Sequence, residues 1–156
     1  MRVLPNFLPK EDMIMLRAWM LMRSDSFKPG RQGTGYTKLV VEDIPPLRRI
    51  WERCLGELLR DKTPQRGEVP HDCFIIRYPV GSYIPSHKDP VQASAEHHRL
   101  NIILDQPAVG GLLIVDHCEY RLLPSDAYIF RPDLEEHEVT KIEVFDRYVF
   151  TVGALL

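Results

Sequence analysis

From Asp72 to Leu156 the chain is a succession of short runs rich in β-branched, aromatic and aliphatic residues. They read CFIIRYPV, RLNIILD, GLLIVD, EYRLL, AYIF, HEVTKIEV and RYVFTVGALL, separated by Gly, Pro, Asp or polar turns. Runs this short and this closely spaced leave no room for crossover helices, so a parallel α/β sheet does not fit. They predict a mainly β fold, a sandwich or barrel of jelly-roll type. Thirteen prolines and nine glycines supply the turns that such a fold needs.

The upstream part has a different texture. Pro9–Met22 predicts a first helix with Pro9 at its first helical position. Apolar residues nearly encircle it, which predicts burial between other elements. A second helix is predicted over PPLRRIWERCLGELLRD, where Leu47, Ile50, Trp51, Cys54, Leu55, Leu58 and Leu59 follow a 3-4 spacing. Between them a glycine-rich stretch leads into a strand-like run at Tyr36–Val41. Residues 1–70 are thus expected to be helical support with a loop, the helices lying outside a β core formed by residues 71–156. One domain accounts for 156 residues of which 44% are hydrophobic.

A net charge of −2 gives no basic footprint for nucleic acid. No run of 18 apolar residues is present, so no membrane span is expected, and the N-terminal stretch lacks a signal-peptide pattern. Cys54, Cys73 and Cys118 are odd in number and form no CxxC pair. They read as buried thiols of a cytoplasmic protein rather than a disulfide or zinc framework. Nothing in the sequence speaks to oligomeric state.

His87 and Asp89 stand two positions apart in SHKDP. On an extended segment both side chains leave one face and Lys88 leaves the other. His137, fifty residues later in LEEHEV, offers a third ligand. Two imidazoles and one carboxylate form the facial set of non-haem Fe(II) oxygenases, which leaves positions open for cosubstrate and dioxygen. Zinc hydrolases use a similar set, so the three residues alone do not choose the reaction. Arg147 lies ten residues after His137 on an otherwise apolar strand. A guanidinium bound for the core is costly unless it meets an anion, and its planar fork matches a carboxylate. A dicarboxylate such as 2-oxoglutarate would satisfy both, one end on the metal and the other on Arg147.

On these residues the chain resembles the prolyl 4-hydroxylase-like branch of the 2-oxoglutarate/Fe(II)-dependent oxygenases. RYPVGSYIPSHKDP is similar to the family's Tyr-x-x-Gly-x-Tyr-x-x-x-His-x-Asp approach to the iron, and RLNIILD to the strand that follows. VGGLLIV resembles the Gly-Gly-x-Leu turn, and LPSDAYIF the Gly-Asp-x-x-x-Phe stretch with Ser125 in place of the glycine. HEV and DRYVFTV supply the distal histidine and the arginine.

The resemblance implies a double-stranded β-helix (jelly-roll, cupin-like) core. It also implies Fe(II) on His87, Asp89 and His137, and 2-oxoglutarate held distally by Arg147. O2 would be the second cosubstrate and ascorbate an accessory reductant. Tyr78 matches a cosubstrate-binding tyrosine of the oxygen-sensing prolyl hydroxylases. Those enzymes carry a second such tyrosine where this chain has Ile103, which leaves Asn101 as the candidate to assist Arg147. The implied reaction is hydroxylation of a small-molecule or peptidyl, amino-acid-like group, prolyl among them, with release of succinate and CO2. Related halogenases replace the metal-binding carboxylate with a small residue, so an intact Asp89 favours hydroxylation.

Arg31, Tyr36, Tyr83 and Arg99 are candidate substrate contacts, with Gly30–Tyr36, including Gln32, as a candidate lid. A nucleic-acid dealkylase of this fold would want a second arginine six positions after Arg147, where Gly153 stands. A non-enzymatic metal- or anion-binding module is the other alternative. His97 and His98 read as loop residues facing solvent or substrate, and His117–Cys118 as a hairpin turn. His71 precedes a strand and has no partner pattern.

Overall fold

A computed structural model of the chain describes residues 1–31, 33–60, 72–91 and 95–156. Two helices and eleven strands follow one another as β1 (Arg2–Leu4), α1 (Lys10–Leu21), β2 (Lys28–Pro29), β3 (Thr37–Val40) and α2 (Pro45–Leu58). Then come β4 (Asp72–Tyr78), β5 (Ile84–His87), β6 (His97–Asp105), β7 (Leu113–Val115), β8 (Cys118–Tyr120), β9 (Ala127–Phe130), β10 (His137–Val139) and β11 (Arg147–Leu155). The strands form two sheets, ordered β1-β9-β6-β11-β4-β3-β2 and β5-β10-β7-β8. Every recorded pairing is antiparallel, as short runs joined by tight turns require. None of the described helices is long and apolar enough to cross a membrane.

The long strands β4, β6 and β11 are apolar on both faces because each face meets a different core. Ile75, Leu100, Ile102, Leu104, Phe150 and Val152 point to one side, where they pack with Leu16 and Met20 of α1 and Leu47, Ile50 and Cys54 of α2. Their neighbours in sequence, Phe74, Ile76, Tyr78, Ile103 and Val149, point between the two sheets and meet Leu113, Val115 and Val139. This is the period-2 alternation of a strand, applied to a three-layer arrangement. Both helices thus lie behind the large sheet, on the side away from the inter-sheet space.

Several expectations change here. Pro9 is the N-cap of α1 rather than its first helical residue. That helix is buried on one side only, since Ile14 and Leu21 are largely exposed. The N-terminal part is more than helical support, because β1 pairs with β9 and β3 extends the large sheet beside β4. Of the cysteines only Cys54 is buried; Cys73 is partly covered and Cys118 is exposed. Cys118 opens β8 directly after a two-residue turn in which Asp116 and His117 both have positive φ, 47° and 65°. That geometry is the type I′ hairpin turn.

Two turns at the family-like motifs depend on left-handed backbone. Ser125 has φ 81°, a conformation that glycine would adopt without strain. It holds its place by donating from Oγ to Leu8 O at 2.7 Å and from its own N to Ile103 O at 2.8 Å. Gly110 has φ 74°, and a Cβ there would lie 2.1 Å from Lys141 O and 2.9 Å from Glu143 N. The backbones meet there in an isolated antiparallel bridge, Gly110↔Ile142. Gly110→Ala is expected to destabilise the protein by at least about 2 kcal/mol, combining left-handed strain with a backbone clash, as read from urea denaturation.

Candidate metal centre

The small sheet sets two histidines against each other. β5 ends at His87 and β10 begins at His137, and the antiparallel register makes the two direct partners. Their ring centroids are 4.3 Å apart. Asp89 follows two residues beyond, its amide donating to Pro132 O at 2.7 Å, while Lys88 between them is exposed. One ligand atom from each of His87, Asp89 and His137 lies within 4.8 Å of the others, and this is the one such group among the described residues.

The tautomer and orientation of both rings are set from behind. His87 Nδ1 lies 2.8 Å from Pro85 O and His137 Nδ1 lies 3.0 Å from Glu135 O. A carbonyl only accepts, so Nδ1 carries the proton and each Nε2 presents its lone pair towards the shared point. His87 Nε2 stands 3.5 Å from Asp89 Oδ1. Burial lowers the pKa of His137 below 6.5 despite the Glu135 carbonyl, and the neighbouring His87 acts in the same direction. This nitrogen–nitrogen–oxygen donor set, open on one face, fits a divalent transition metal such as Fe(II).

The three residues open onto a pocket between the sheets. Its opposite wall is the inner face of the large sheet, where side chains stand in rows fixed by register. One row runs Phe130, Arg99, Gly153, Asp72, and the next runs Tyr128, Asn101, Thr151, Phe74. Gly153 separates Arg99 from Asp72 by a whole strand, and a Cβ at Gly153 would sit 2.5 Å from Asp72 Oδ1. The missing side chain lets Arg99 reach across to Asp72 Oδ2 at 3.1 Å. A guanidinium therefore occupies the region above position 153, delivered by the neighbouring strand. A second groove over α2, lined by Val41, Leu47, Trp51 and Cys73, carries no comparable ligand set.

Arg147 is 1% exposed, the bulkiest of the fully buried side chains. Its Nε donates to Gln106 Oε1 at 2.9 Å, and Gln106 in turn donates from Nε2 to Gly111 O at 3.0 Å. The guanidinium carbon lies 5.1 Å over the ring of Tyr78, its direct partner across β11 and β4. Asp146, the nearest carboxylate in sequence, is committed to Arg77 at 2.8 Å and to the Val80 amide. Among the described residues no carboxylate pairs with Arg147. Burial raises the pKa of Tyr78 against the opposing effect of Arg147, so its phenol stays protonated.

Asn101 is not brought to Arg147. It pairs in register with Thr151, four residues along β11 and roughly 13 Å from Arg147 at the rise of an extended strand. It donates instead to Tyr128 Oη at 2.8 Å, leaving its own Oδ1 buried without a partner. Gln106 takes the place beside Arg147 that Asn101 is expected to fill. Ile103 is fully buried opposite Val149.

Arg31, Tyr36 and Arg99 line the pocket, and Tyr83, 45% exposed in the turn before β5, does not. The described part of the Gly30–Tyr36 loop is tied at both ends. Gly30 N donates to Tyr36 O at 2.9 Å, and Tyr83 N donates to Thr34 O at 3.3 Å. Tyr36 meets Tyr78 in a tilted ring contact, with centroids 5.8 Å apart and planes 41° from parallel. Gln32 and His71 lie outside the described residues.

His97 and His98 are not loop residues facing solvent. They open β6 and are buried, and His97 Nδ1 lies 3.8 Å behind Asp89 Oδ2. Two residues carry no motif that sequence inspection would single out. Lys38 lines the pocket from β3, and Gln106, after β6, accepts from Arg147; each is placed by strand pairing far along the chain.

No family model and no curated protein matches the sequence. Solved structures do. A prolyl-4-hydroxylase of Pseudomonas putida superposes with a TM-score of 0.76 at 18% identity, covering 99% of this chain and 90% of that one. A prolyl hydroxylase of Trichoplax adhaerens, in complex with a hypoxia inducible factor oxygen degradation domain peptide, gives 0.77 at 17% identity over 99% and 82%. The fold is that of the prolyl 4-hydroxylase-like 2-oxoglutarate/Fe(II) oxygenases. A viral collagen prolyl hydroxylase from Paramecium Bursaria Chlorella virus-1, solved as a 2-oxoglutarate complex, gives 0.73 at 13% identity over 99% and 96%.

His137→Ala is expected to weaken Ni(II) or Mn(II) binding more than about 100-fold, more than second-layer changes at metal sites cost, by isothermal titration. A pH effect follows from the lowered pKa of His137. Between that value and 6.5 the unfolded chain binds more protons at this residue, so its contribution to stability rises with pH and is lost on acidification. Metal-free protein should lose more stability between pH 7.5 and pH 5.5, roughly the interval over which histidine titrates, than metal-free His137→Ala does, as compared by urea denaturation in chelator.

Proposed function

We propose that this protein is an Fe(II)- and 2-oxoglutarate-dependent dioxygenase that hydroxylates an amino-acid-like group, free or peptidyl. The observation that carries the proposal is a pairing within one inter-sheet space. A ligand set with one open face stands at one end, and a buried arginine without a carboxylate partner among the described residues stands at the other. Gly111, beside Arg147, and Val115, opposite His137, lie on the same run of chain leading through β7, so both ends belong to one continuous wall. An isolated buried charge costs several kcal/mol, and a dicarboxylate spanning from metal to guanidinium would offset that cost.

When bound, iron and 2-oxoglutarate supply the activation of O2 and the oxidative decarboxylation that yields succinate and CO2. The chain's own residues orient and insulate. His87 and His137, their tautomers set by Pro85 and Glu135 carbonyls, would present Nε2, and Asp89 would add the oxygen ligand. Gln106 holds the guanidinium of Arg147 in position, and Tyr78 supplies a protonated phenol beside it. Leu113, Val139 and Ile84 line the intervening wall and exclude water. The expected location is the cytoplasm. No nucleic-acid substrate is proposed, given the slightly acidic chain and the absence of an arginine at position 153.

The test is iron-dependent conversion of 2-oxoglutarate to succinate by the purified protein, with ascorbate as reductant and with amino acids, short peptides and cell extract as substrate pools. His137→Ala should abolish turnover. Arg147→Gln should raise the KM for 2-oxoglutarate by more than about tenfold, the loss of one charge-assisted pair, with a smaller effect on kcat. A pure protein that never consumes 2-oxoglutarate under any of these conditions is not an oxygenase, and the triad would then serve a binding module.

A further inference from the structure

The wall facing the metal ligands carries more positive charge than the proposed reaction uses. Lys38 Nζ lies 4.4 Å from the centroid of the Phe74 ring, and the Arg99 guanidinium carbon lies 5.6 Å from the same centroid. Two cations thus flank one phenyl ring inside the pocket, which the exposed Arg31 also lines. Arg99 is balanced by Asp72 through the gap at Gly153. Lys38 has no carboxylate partner among the described residues, and its other recorded cation contact is the Tyr36 ring at 5.7 Å. Asp89, the one acidic residue lining the pocket, belongs to the ligand set.

The charges of a divalent metal, the Asp89 carboxylate, a bound dicarboxylate and the Arg147 guanidinium cancel among themselves. Lys38 is left over. A partly buried ammonium held against an aromatic ring is already stripped of some water, which raises what it gains from an anion. Behind it, Asn101 Oδ1 and Thr151 Oγ1 are buried polar atoms without partners, in the row that ends at Phe74. Of the two residues, Asn101 itself lines the pocket.

We infer that Lys38, supported by Arg99 across Phe74, is a specificity-determining residue that binds a carboxylate of the substrate. The substrate class is then an amino-acid-like molecule carrying a free carboxylate close to the carbon that is hydroxylated. The inference rests on the oxygenase proposal only for the anions placed at the metal and at Arg147.

The experiment measures binding rather than turnover. Protein loaded with Mn(II) under argon, with and without 2-oxoglutarate, is titrated with three series. These are free L-amino acids, the same amino acids as α-carboxamides, and C-terminally amidated short peptides with an internal Asp or Glu. Paramagnetic broadening of ligand proton resonances reports binding next to the metal. At least one carboxylate should bind about tenfold more tightly than its neutral counterpart, the worth of one charge-assisted contact. Lys38→Met should remove that advantage and Lys38→Arg should retain it, with 2-oxoglutarate affinity changed less than about twofold. An advantage in the first series identifies an α-carboxylate, and in the third an acidic side chain.

The inference is overturned if no carboxylate outperforms its neutral counterpart. It is equally overturned if Lys38→Met weakens 2-oxoglutarate as much as it weakens the probe, which would assign Lys38 to the cosubstrate. A protein that fails to bind 2-oxoglutarate but keeps a Lys38-dependent preference for carboxylates would refute the oxygenase proposal and leave the anion site standing.

Discussion

β11 is hydrogen-bonded on both flanks along its length, to β6 on one side and β4 on the other. Nearly everything at the pocket depends on that double pairing. It places Arg147 opposite Tyr78, Thr151 opposite both Asn101 and Phe74, and Gly153 between Arg99 and Asp72. A slip of one residue would turn Arg147 towards the helices and bring Phe150 into the pocket. Both faces of the strand are buried against different partners, so such a slip would be opposed from two directions, by α1 and α2 behind and by the small sheet in front.

The electrostatics of the pocket follow from the same geometry. Positive groups come from the large sheet: Arg99 and Lys38 line the pocket wall, and Arg147 lies behind it against the pocket residue Tyr78. The candidate metal ligands come from the small sheet and the segment after β5. Each arginine is handled differently. Arg77, at the surface, has Asp146; Arg99, partly buried, has Asp72; Arg147, fully buried, has only the neutral Gln106 among the described residues. Burial and pairing usually rise together in folded proteins. Of these three arginines the most buried is the least compensated, which is why a bound anion is part of the proposed function.

Much of this was legible in the chain. The jelly-roll class follows from the run lengths after Asp72, and the three-residue ligand set from His87, Asp89 and His137 in family-like surroundings. The left-handed turn at Ser125 could be anticipated from its occupying a glycine position, and the structure shows its cost shared by two hydrogen bonds. Other elements were misplaced for identifiable reasons. The all-round apolar pattern of α1 promised complete burial, yet only one side meets the sheet. His97 and His98 looked like a polar loop because their neighbours are polar, whereas strand pairing with β11 carries them inside. Asn101 shares a face with Arg147 but not a row.

By itself the sequence determined which chemical groups are available and on which face of its strand each one lies, because alternation along a strand is local and has a period of two. It could not determine which groups stand opposite one another, because cross-strand neighbours depend on register between segments tens of residues apart. That is why Gln106 beside Arg147, Asp72 reaching Arg99 over Gly153, and Lys38 against Phe74 emerged only from the tertiary structure. The candidate metal ligands were readable because their spacing survives in the chain. The charge left facing them was decided by the pairing of the sheets.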